Sequence, residues 1–151
     1  NMKGEVPTSP DFVLPIGKAD IKRVGKDVTV VTYGRMLERV LKAADKAAEK
    51  GIEVEVVDLM TLAPLDRETI IESVRKTGRV LLVNDAHKTG GFLGEIAASI
   101  AESGAFDYLD SRILRLAAED IPTPYNHSLE VAMLPDVDRI LKYIERLYDK
   151  R

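Results

Sequence analysis

Cysteine is absent from this chain of 151 residues, and histidine occurs only at His87 and His127. Without a thiol the chain can form no disulfide, no thiolate nucleophile and no cysteine-based metal site. The two histidines stand far apart and lack the short spacing of a metal-binding pair, so we expect no metal centre. His127 is interpreted as a turn residue or an interface contact.

Long hydrophobic runs and an excess of positive charge are also missing. The chain has 22 Lys and Arg against 25 Asp and Glu, a formal net charge of −3. Such a balance creates no basic field, so nucleic acid is not expected as a partner. No apolar run is long enough to cross a bilayer, and the first ten residues do not resemble a signal peptide. We therefore expect a cytoplasmic protein with no membrane contact.

A strand, a helix and a second strand follow one another between residues 27 and 65. Valines at 28, 30 and 31 predict a strand buried on both faces, and the run from Val54 to Leu59 predicts another. Between them, apolar residues from Met36 to Ala48 recur at helical spacing, and Lys50 and Gly51 are suited to end that helix. A unit this compact is expected to be a right-handed parallel crossover.

The remaining segments extend this unit into one domain. Residues 1–18 are rich in proline and predict an extended lead-in, and residues 19–24 predict a short antiparallel edge strand. Further strands are predicted at residues 79–84 and 113–116, and Ser128 is expected to cap a short helix. The alternation predicts a three-layer α/β/α sandwich over residues 19–151, with about five mostly parallel strands and one antiparallel edge strand.

Three strand ends are candidates for chemistry, because ligands in open α/β sheets bind beyond the carboxyl ends of the strands. Gly34 lacks the further glycines of a nucleotide-binding fingerprint, so it is interpreted as turn geometry. Asp58 is interpreted as a cap or turn residue. In the segment NDAHKTGG, Asp85 and His87 offer an acid–base pair without a nucleophile in support. Gly90 and Gly91 favour close backbone approach, so the segment is predicted to be an interface loop.

Acidic residues concentrate late in the chain, at Asp107, Asp110, Glu119 and Asp120. Two interpretations stay open: a solvated surface, or a patch that receives a basic partner. Without a nucleophile or metal ligands, we assign no catalytic, cofactor-binding or metal-binding residue to this chain.

The order of several motifs resembles one family closely, the C-terminal domain of the beta subunit of thiamine-diphosphate-dependent 2-oxo acid dehydrogenases. This group, with pyruvate, branched-chain and acetoin members, is part of the wider transketolase C-terminal family. The motifs are residues 16–20 (IGKAD), 25–34 (GKDVTVVTYG), 56–59 (VVDL), 61–62 (TL), 64–66 (PLD), 89–92 (TGGF), 95–96 (EI), 122–125 (PTPY) and 134–135 (LP). The chain departs from the family at Asn84 and Asp85, where members often carry His-Glu or Val-Glu.

The resemblance implies a fragment that assembles an enzyme without catalysing its reaction. In the family, thiamine diphosphate and magnesium are held by the alpha subunit and by an N-terminal pyrimidine-binding domain of the beta subunit, which these residues do not include. The implied partners are that N-terminal domain, the alpha subunit and a second beta subunit. A further implied partner is the subunit-binding domain of the lipoyl acyltransferase, and the intact enzyme would decarboxylate a 2-oxo acid oxidatively and pass the acyl group to lipoamide.

The acyltransferase contact is expected at Asp107, Asp110 and Arg151, and the isolated domain is expected to form a homodimer. The alternative hypothesis is a freestanding domain that binds an anion or small ligand through the loops at Gly34 and Gly90-Gly91.

Overall fold

The computed structural model describes residues 7–149, and they form one five-stranded sheet covered by helices on both faces. The strands are β1 (Asp20–Arg23), β2 (Val28–Thr32), β3 (Val54–Asp58), β4 (Val80–His87) and β5 (Leu114–Ala118). The helices are α1 (Met36–Ala48), α2 (Arg67–Thr77), α3 (Leu93–Ala101), α4 (His127–Met133) and α5 (Val137–Tyr148), with a 3₁₀ turn at Phe106–Tyr108.

The strand order is β1-β3-β2-β4-β5. Strands β2, β3, β4 and β5 pair in parallel, while β1 runs antiparallel to β3 at one edge. The predicted sandwich with an antiparallel edge strand is therefore confirmed. The partner of β1 is not the strand that follows it in sequence, because the Gly25 turn carries the chain past β3 into the centre of the sheet.

Two apolar cores hold the layers together, one on each face of the sheet. Helices α1 and α5 cover the first core, which includes Val30, Val40 and Ile144, and helices α2 and α3 cover the second, which includes Val31 and Leu82. The alternation of valines in β2 between the two cores is the expected consequence of a strand buried on both faces.

The helix boundaries follow local signals that were mostly readable in the sequence. Asp66 caps α2 by accepting a hydrogen bond from the Thr69 N–H at 3.2 Å, and Gly78 ends it with a φ of +68°. The predicted cap of α4 at Ser128 is wrong. Asn126 is the cap, because its side-chain oxygen accepts from the Ser128 and Leu129 N–H groups.

Two strands run further than predicted. β4 continues to His87 where a loop was expected from Asp85, and β5 continues to Ala118 where a loop was expected from Ala117. Pairing of His87 with Ala118 across the two strands accounts for both extensions. No helix in the described part of the chain combines the length and apolarity that crossing a membrane requires.

Residues 7–18 contain no helix or strand and lie mostly exposed. The lead-in is tied to the domain at its end, where the Gly17 N–H donates to Thr61 Oγ1 and the Ala19 N–H donates to Asp66 Oδ2, both at 3.0 Å. The division of the chain at residue 18 stays a prediction, and residues 1–6 lie outside the described part.

Candidate functional site

The carboxyl ends of the parallel strands form one edge of the sheet, which we call the carboxyl edge (Gly34, Arg35, residues 85–91, Glu119 and Asp120). The side chains at this edge come from segments far apart in sequence. They are brought together because parallel strands all end on the same side. This edge contains both predicted loops, Gly34 and Gly90-Gly91.

Asp85 and His87 do not form the acid–base pair that the sequence offered. The Asp85 carboxylate lies 2.7 Å from Arg35 Nε, in an ion pair that joins the ends of β4 and β2. His87 instead places Nε2 2.9 Å from the carbonyl oxygen of Ile121. Each of the two side chains is therefore occupied by a structural contact to a different neighbouring segment.

Asp120 fastens the loop that follows β4. Its carboxylate accepts from the Thr89 N–H at 3.0 Å and from the Thr89 hydroxyl at 2.7 Å. These hydrogen bonds lower the pKa of Asp120, so the group is ionised at neutral pH. Sequence reasoning placed Asp120 in an acidic patch and missed this role. No signal in the sequence indicated this contact, because it depends on β5 lying beside β4 in the sheet.

Backbone conformation and close packing explain why glycine occurs at three positions of the carboxyl edge. Gly90 has a φ of +71°, and a Cβ on Gly91 would lie 2.2 Å from the His87 carbonyl oxygen. Gly34 has a φ of +62° with open space around it. These conformations explain the glycines as turn residues.

A cleft of about 310 Å³ opens at the carboxyl edge between His87, Thr89, Asp120, Ile121 and Pro122. Its lining contains one carboxylate and no lysine or arginine. Among residues 7–149 there is no group of three or more His, Asp or Glu placed to hold a metal ion. The Thr89 hydroxyl of this lining is bonded to Asp120, and no lysine or arginine is present to support a phosphate.

Asp58 behaves as the predicted turn residue. It is nearly buried at the end of β3, and its Oδ1 accepts from the Met60 N–H at 3.4 Å. Burial raises the pKa of Asp58, although the Met60 N–H and the Lys22 ammonium oppose the shift. Met60 itself has a φ of +55°, which is unusual for a residue other than glycine.

The four late acidic residues do not form one patch. Asp107 and Asp110 lie before β5, on the side where the parallel strands begin, and Asp110 pairs with Arg79 at 3.1 Å. Glu119 and Asp120 lie at the other end of β5, where Glu119 pairs with Arg139 at 2.7 Å. Of the residues expected to meet the acyltransferase, Asp107 and Asp110 are exposed, and Arg151 lies outside the described residues.

Large apolar side chains are exposed mainly in two segments. The lead-in surface consists of Phe12, Val13, Leu14 and Ile16. The loop–helix surface consists of Ile121, Tyr125, Leu129 and Val131, in the connection after β5 and in α4. Tyr125 is fully exposed and follows the two prolines of the PTPY motif.

The family model for the transketolase C-terminal domain matches residues 17–140. This chain belongs to the transketolase C-terminal domain family. The match covers every strand of the sheet.

Two similar curated proteins carry the names of dehydrogenase beta subunits. The chain is 49% identical over 140 residues to the 2-oxoisovalerate dehydrogenase subunit beta of Bacillus subtilis, covering 92% of this chain and 42% of that protein. It is 47% identical to the mitochondrial pyruvate dehydrogenase E1 component subunit beta-1 of Arabidopsis thaliana, covering 89% and 37%. The chain thus spans less than half the length of these relatives.

Solved structures agree with this placement. A split-gene transketolase, described as an inactive beta4 tetramer, superposes with a TM-score of 0.79 at 27% identity, covering 95% of this chain and 45% of that one. A 2-oxoglutarate:ferredoxin oxidoreductase from Magnetococcus marinus superposes with a TM-score of 0.59 at 12% identity over 87% of this chain and 20% of that one, and so shares the fold. The predicted resemblance to 2-oxo acid dehydrogenase beta subunits is confirmed.

Proposed function

We propose that this chain is the assembly and partner-docking domain of a 2-oxo acid dehydrogenase beta subunit. The intact enzyme would decarboxylate a 2-oxo acid oxidatively and transfer the acyl group to lipoamide. The observation that carries the proposal is the concentration of exposed apolar side chains in the lead-in and loop–helix surfaces. Apolar surface of this kind marks contact with other protein surfaces more often than contact with solvent alone.

In this proposal the alpha subunit, a second beta subunit and the N-terminal domain of the same subunit cover the two surfaces. The structure of the lead-in supports this arrangement, because Phe12, Val13 and Leu14 are exposed. Between residues 7 and 19, the hydrogen bonds and ion pairs to the rest of the domain come from Gly17, Lys18 and Ala19. Tyr125 supports the same arrangement for the loop–helix surface. Its exposed ring follows two prolines, which restrict the backbone, so it loses little conformational freedom on binding.

Thiamine diphosphate and magnesium would act in the intact enzyme without being held by these residues. A diphosphate requires cations or free N–H groups, and the cleft at His87 offers the Asp120 carboxylate without a basic side chain. The residues of this cleft therefore do not fit the cofactor, and we assign no catalytic step to this domain. Saturable binding of thiamine diphosphate at this cleft, seen as amide chemical-shift changes of Thr89 and Ile121, would contradict this assignment.

The same surfaces predict self-association when the partners are absent. We expect light scattering to give a mass above that of one chain at high protein concentration. Replacing Tyr125 and Leu129 together by serine should return the mass to one chain, whereas serine at Ile21 and Val24, which are exposed near β1, serves as the matched control. A one-chain mass for the unmodified protein at high concentration would count against the proposal.

The acyltransferase subunit-binding domain is proposed to contact the surface around Asp107 and Asp110. Phe106 and Tyr108 are exposed beside Asp107, so this surface combines acidic groups with large aromatic rings. Such a combination suits a basic protein partner. Calorimetric titration with the purified subunit-binding domain should show binding that weakens as salt increases.

A matched pair of variants sharpens this test. Asp107→Asn should weaken binding, while Glu72→Asn, which removes an exposed charge on α2, should leave it unchanged. Equal effects of the two variants would show that overall charge, and not this surface, governs the contact.

A further inference from the structure

A second, smaller cleft of about 120 Å³ lies beside the carboxyl end of β5. Residues 116–118 of β5 form one side, and Arg139 and Tyr143 of α5 form another. Lys88, from the loop after β4, and Arg115, within β5, complete the lining. The cleft is thus assembled from three segments that are distant in sequence and fixed by the sheet and α5.

The positively charged side chains of this cleft differ in whether they have a carboxylate partner. Arg115 is half-buried, and its Nη1 lies 3.4 Å from the Lys88 carbonyl oxygen. In the part of the chain that the structure describes, neither Arg115 nor Lys88 has a carboxylate within ion-pair distance. A guanidinium in a concave wall without a carboxylate partner is available to bind an incoming anion.

The two acidic residues that border the cleft are already engaged. Glu119 pairs with Arg139 at 2.7 Å, and Asp120 accepts two hydrogen bonds from Thr89. Arg139 balances Glu119, whereas Asp120 keeps its negative charge because the Thr89 donors are neutral. The cleft therefore holds two further cations, Arg115 and Lys88, against the one carboxylate of Asp120.

Tyr143 supplies a neutral hydrogen-bond donor at the same place. Its ring packs against the apolar core beneath α1 and α5, which fixes its position. The residue is half-buried, and its hydroxyl makes no hydrogen bond to any residue between 7 and 149.

We propose that this cleft binds a small oxyanion of the phosphate type. The planar guanidinium of Arg115 provides paired donors, Lys88 provides a point charge, and Tyr143 provides a hydroxyl, which together match the oxygens of such an anion. The small volume limits the ligand to the anionic group itself or to one that projects from a larger molecule. The site is independent of the assembly surfaces, since it includes no residue of either.

The test is a titration of the 151-residue chain with inorganic phosphate, in which amide chemical shifts in NMR spectra report binding. Sodium chloride at matched ionic strength and sodium acetate form two parallel titrations. We expect saturable shifts around Ala118 and Tyr143 with phosphate, and no saturation with chloride. Saturation with acetate alone would overturn the proposal in favour of a carboxylate receptor.

Three variants decide which residues are responsible. Arg115→Gln should weaken phosphate binding about tenfold or more, because it removes a charged donor, and Tyr143→Phe should weaken it a few-fold. Lys142→Gln removes a positive charge from the neighbouring, exposed position of α5 and should leave the affinity unchanged. Equal loss in Arg115→Gln and Lys142→Gln, or no loss in Arg115→Gln, would overturn the proposal. Unchanged thermal unfolding of each variant would show that the fold is intact.

Discussion

The two ends of the parallel strands are built differently. We call the end where the parallel strands begin the amino edge, and it consists of Gly25, Asp27, Gly78, Arg79 and Asp110. All of these residues except Asp110 are buried. The Glu53 N–H donates to Asp27 at 2.8 Å, and Arg79 donates to the Asp27 carbonyl oxygen and pairs with Asp110. At the carboxyl edge, residues 86–90 are all exposed, and the links are ion pairs and hydrogen bonds near solvent.

This difference indicates a division between stability and recognition. Buried, mutually bonded groups tolerate little change, because loss of one partner leaves another unsatisfied in the interior. Exposed groups on short loops can be replaced at small cost to the fold. Substitutions at the amino edge should therefore lower the free energy of unfolding, and those at the carboxyl edge should leave it nearly unchanged.

The largest effect is expected from Gly25→Ala. A Cβ at Gly25 would lie 2.2 Å from the Val54 carbonyl carbon and 2.3 Å from the Glu55 nitrogen, so the backbone of β3 would have to shift. Overpacking against backbone predicts a loss of about 3 kcal/mol or more in the free energy of unfolding. Urea denaturation measures this loss.

Gly34→Ala is the matched control at the carboxyl edge. Open space surrounds Gly34, so only its φ of +62° opposes a side chain, at a cost of about 1 kcal/mol. If the two variants lose equal stability, the contrast between the edges is wrong.

The next largest loss of stability is expected from breaking a buried ion pair near the amino edge. Glu55 in β3 is almost fully buried, pairs with Lys76 of α2 and accepts from the Ser73 hydroxyl at 2.6 Å. Lys76→Met leaves the Glu55 carboxylate without its cation, and breaking such a pair is strongly destabilising. Because 43% of the Lys76 side chain is exposed, water replaces part of the interaction, and we expect a loss of about 2 kcal/mol.

A double variant separates this charge effect from simple loss of packing. Glu55→Gln combined with Lys76→Met removes both charges and keeps the hydrogen bond to Ser73 feasible, so it should be more stable than Lys76→Met alone. Strict additivity of the two single changes would mean that the two groups do not interact.

Asp66 is an exception to the contrast between a buried amino edge and an exposed carboxyl edge. It lies beyond the carboxyl end of β3 and is nevertheless buried. Burial alone would raise its pKa, but hydrogen bonds from the Ala19 N–H and from Thr69 outweigh that effect, and the pKa is lowered. A lowered pKa stabilises the folded state at pH values above the unfolded pKa, near 4, and this contribution disappears as the pH falls through the folded pKa.

Asp66→Ala should accordingly cost about 2 kcal/mol at pH 7, since it removes a helix cap and the tie to Ala19. The difference in the free energy of unfolding between this variant and the unmodified chain should become smaller below about pH 4. Urea denaturation at both pH values measures it. Glu68→Ala, an exposed acid in the same helical turn, is the control and should change stability by less than about 0.5 kcal/mol.

Most of the fold was predictable because its signals are local. The valine runs of β2 and β3 and the cap at Asp66 each depend on residues close together in sequence. The ends of β4 and β5 were not predictable in this way. They depend on the pairing of His87 with Ala118, which joins polar and small residues that no propensity assigns to a strand.

The candidate sites were less predictable, because each depends on contacts across the sheet. The sequence favoured Asp85 with His87, which are close along the chain, whereas the structure joins Asp85 to Arg35 and His87 to Ile121. The cleft at Arg115 had no sequence signal, since its cations come from a loop, a strand and a helix. Strand order determines such neighbours, and strand order was not fixed before the structure.

The smallest effect on stability is expected at the carboxyl edge, from the Arg35–Asp85 ion pair. The side chains are 57% and 34% exposed, so solvent screens the 2.7 Å contact. Arg35→Gln and Asp85→Asn should each change the free energy of unfolding by less than about 1 kcal/mol, with a coupling in the double variant of at most about 0.5 kcal/mol. A measured coupling as large as that between Glu55 and Lys76 would show that the carboxyl edge also stabilises the fold. A negligible coupling would leave Asp85 free to serve contacts with a partner subunit, as the interface-loop prediction requires.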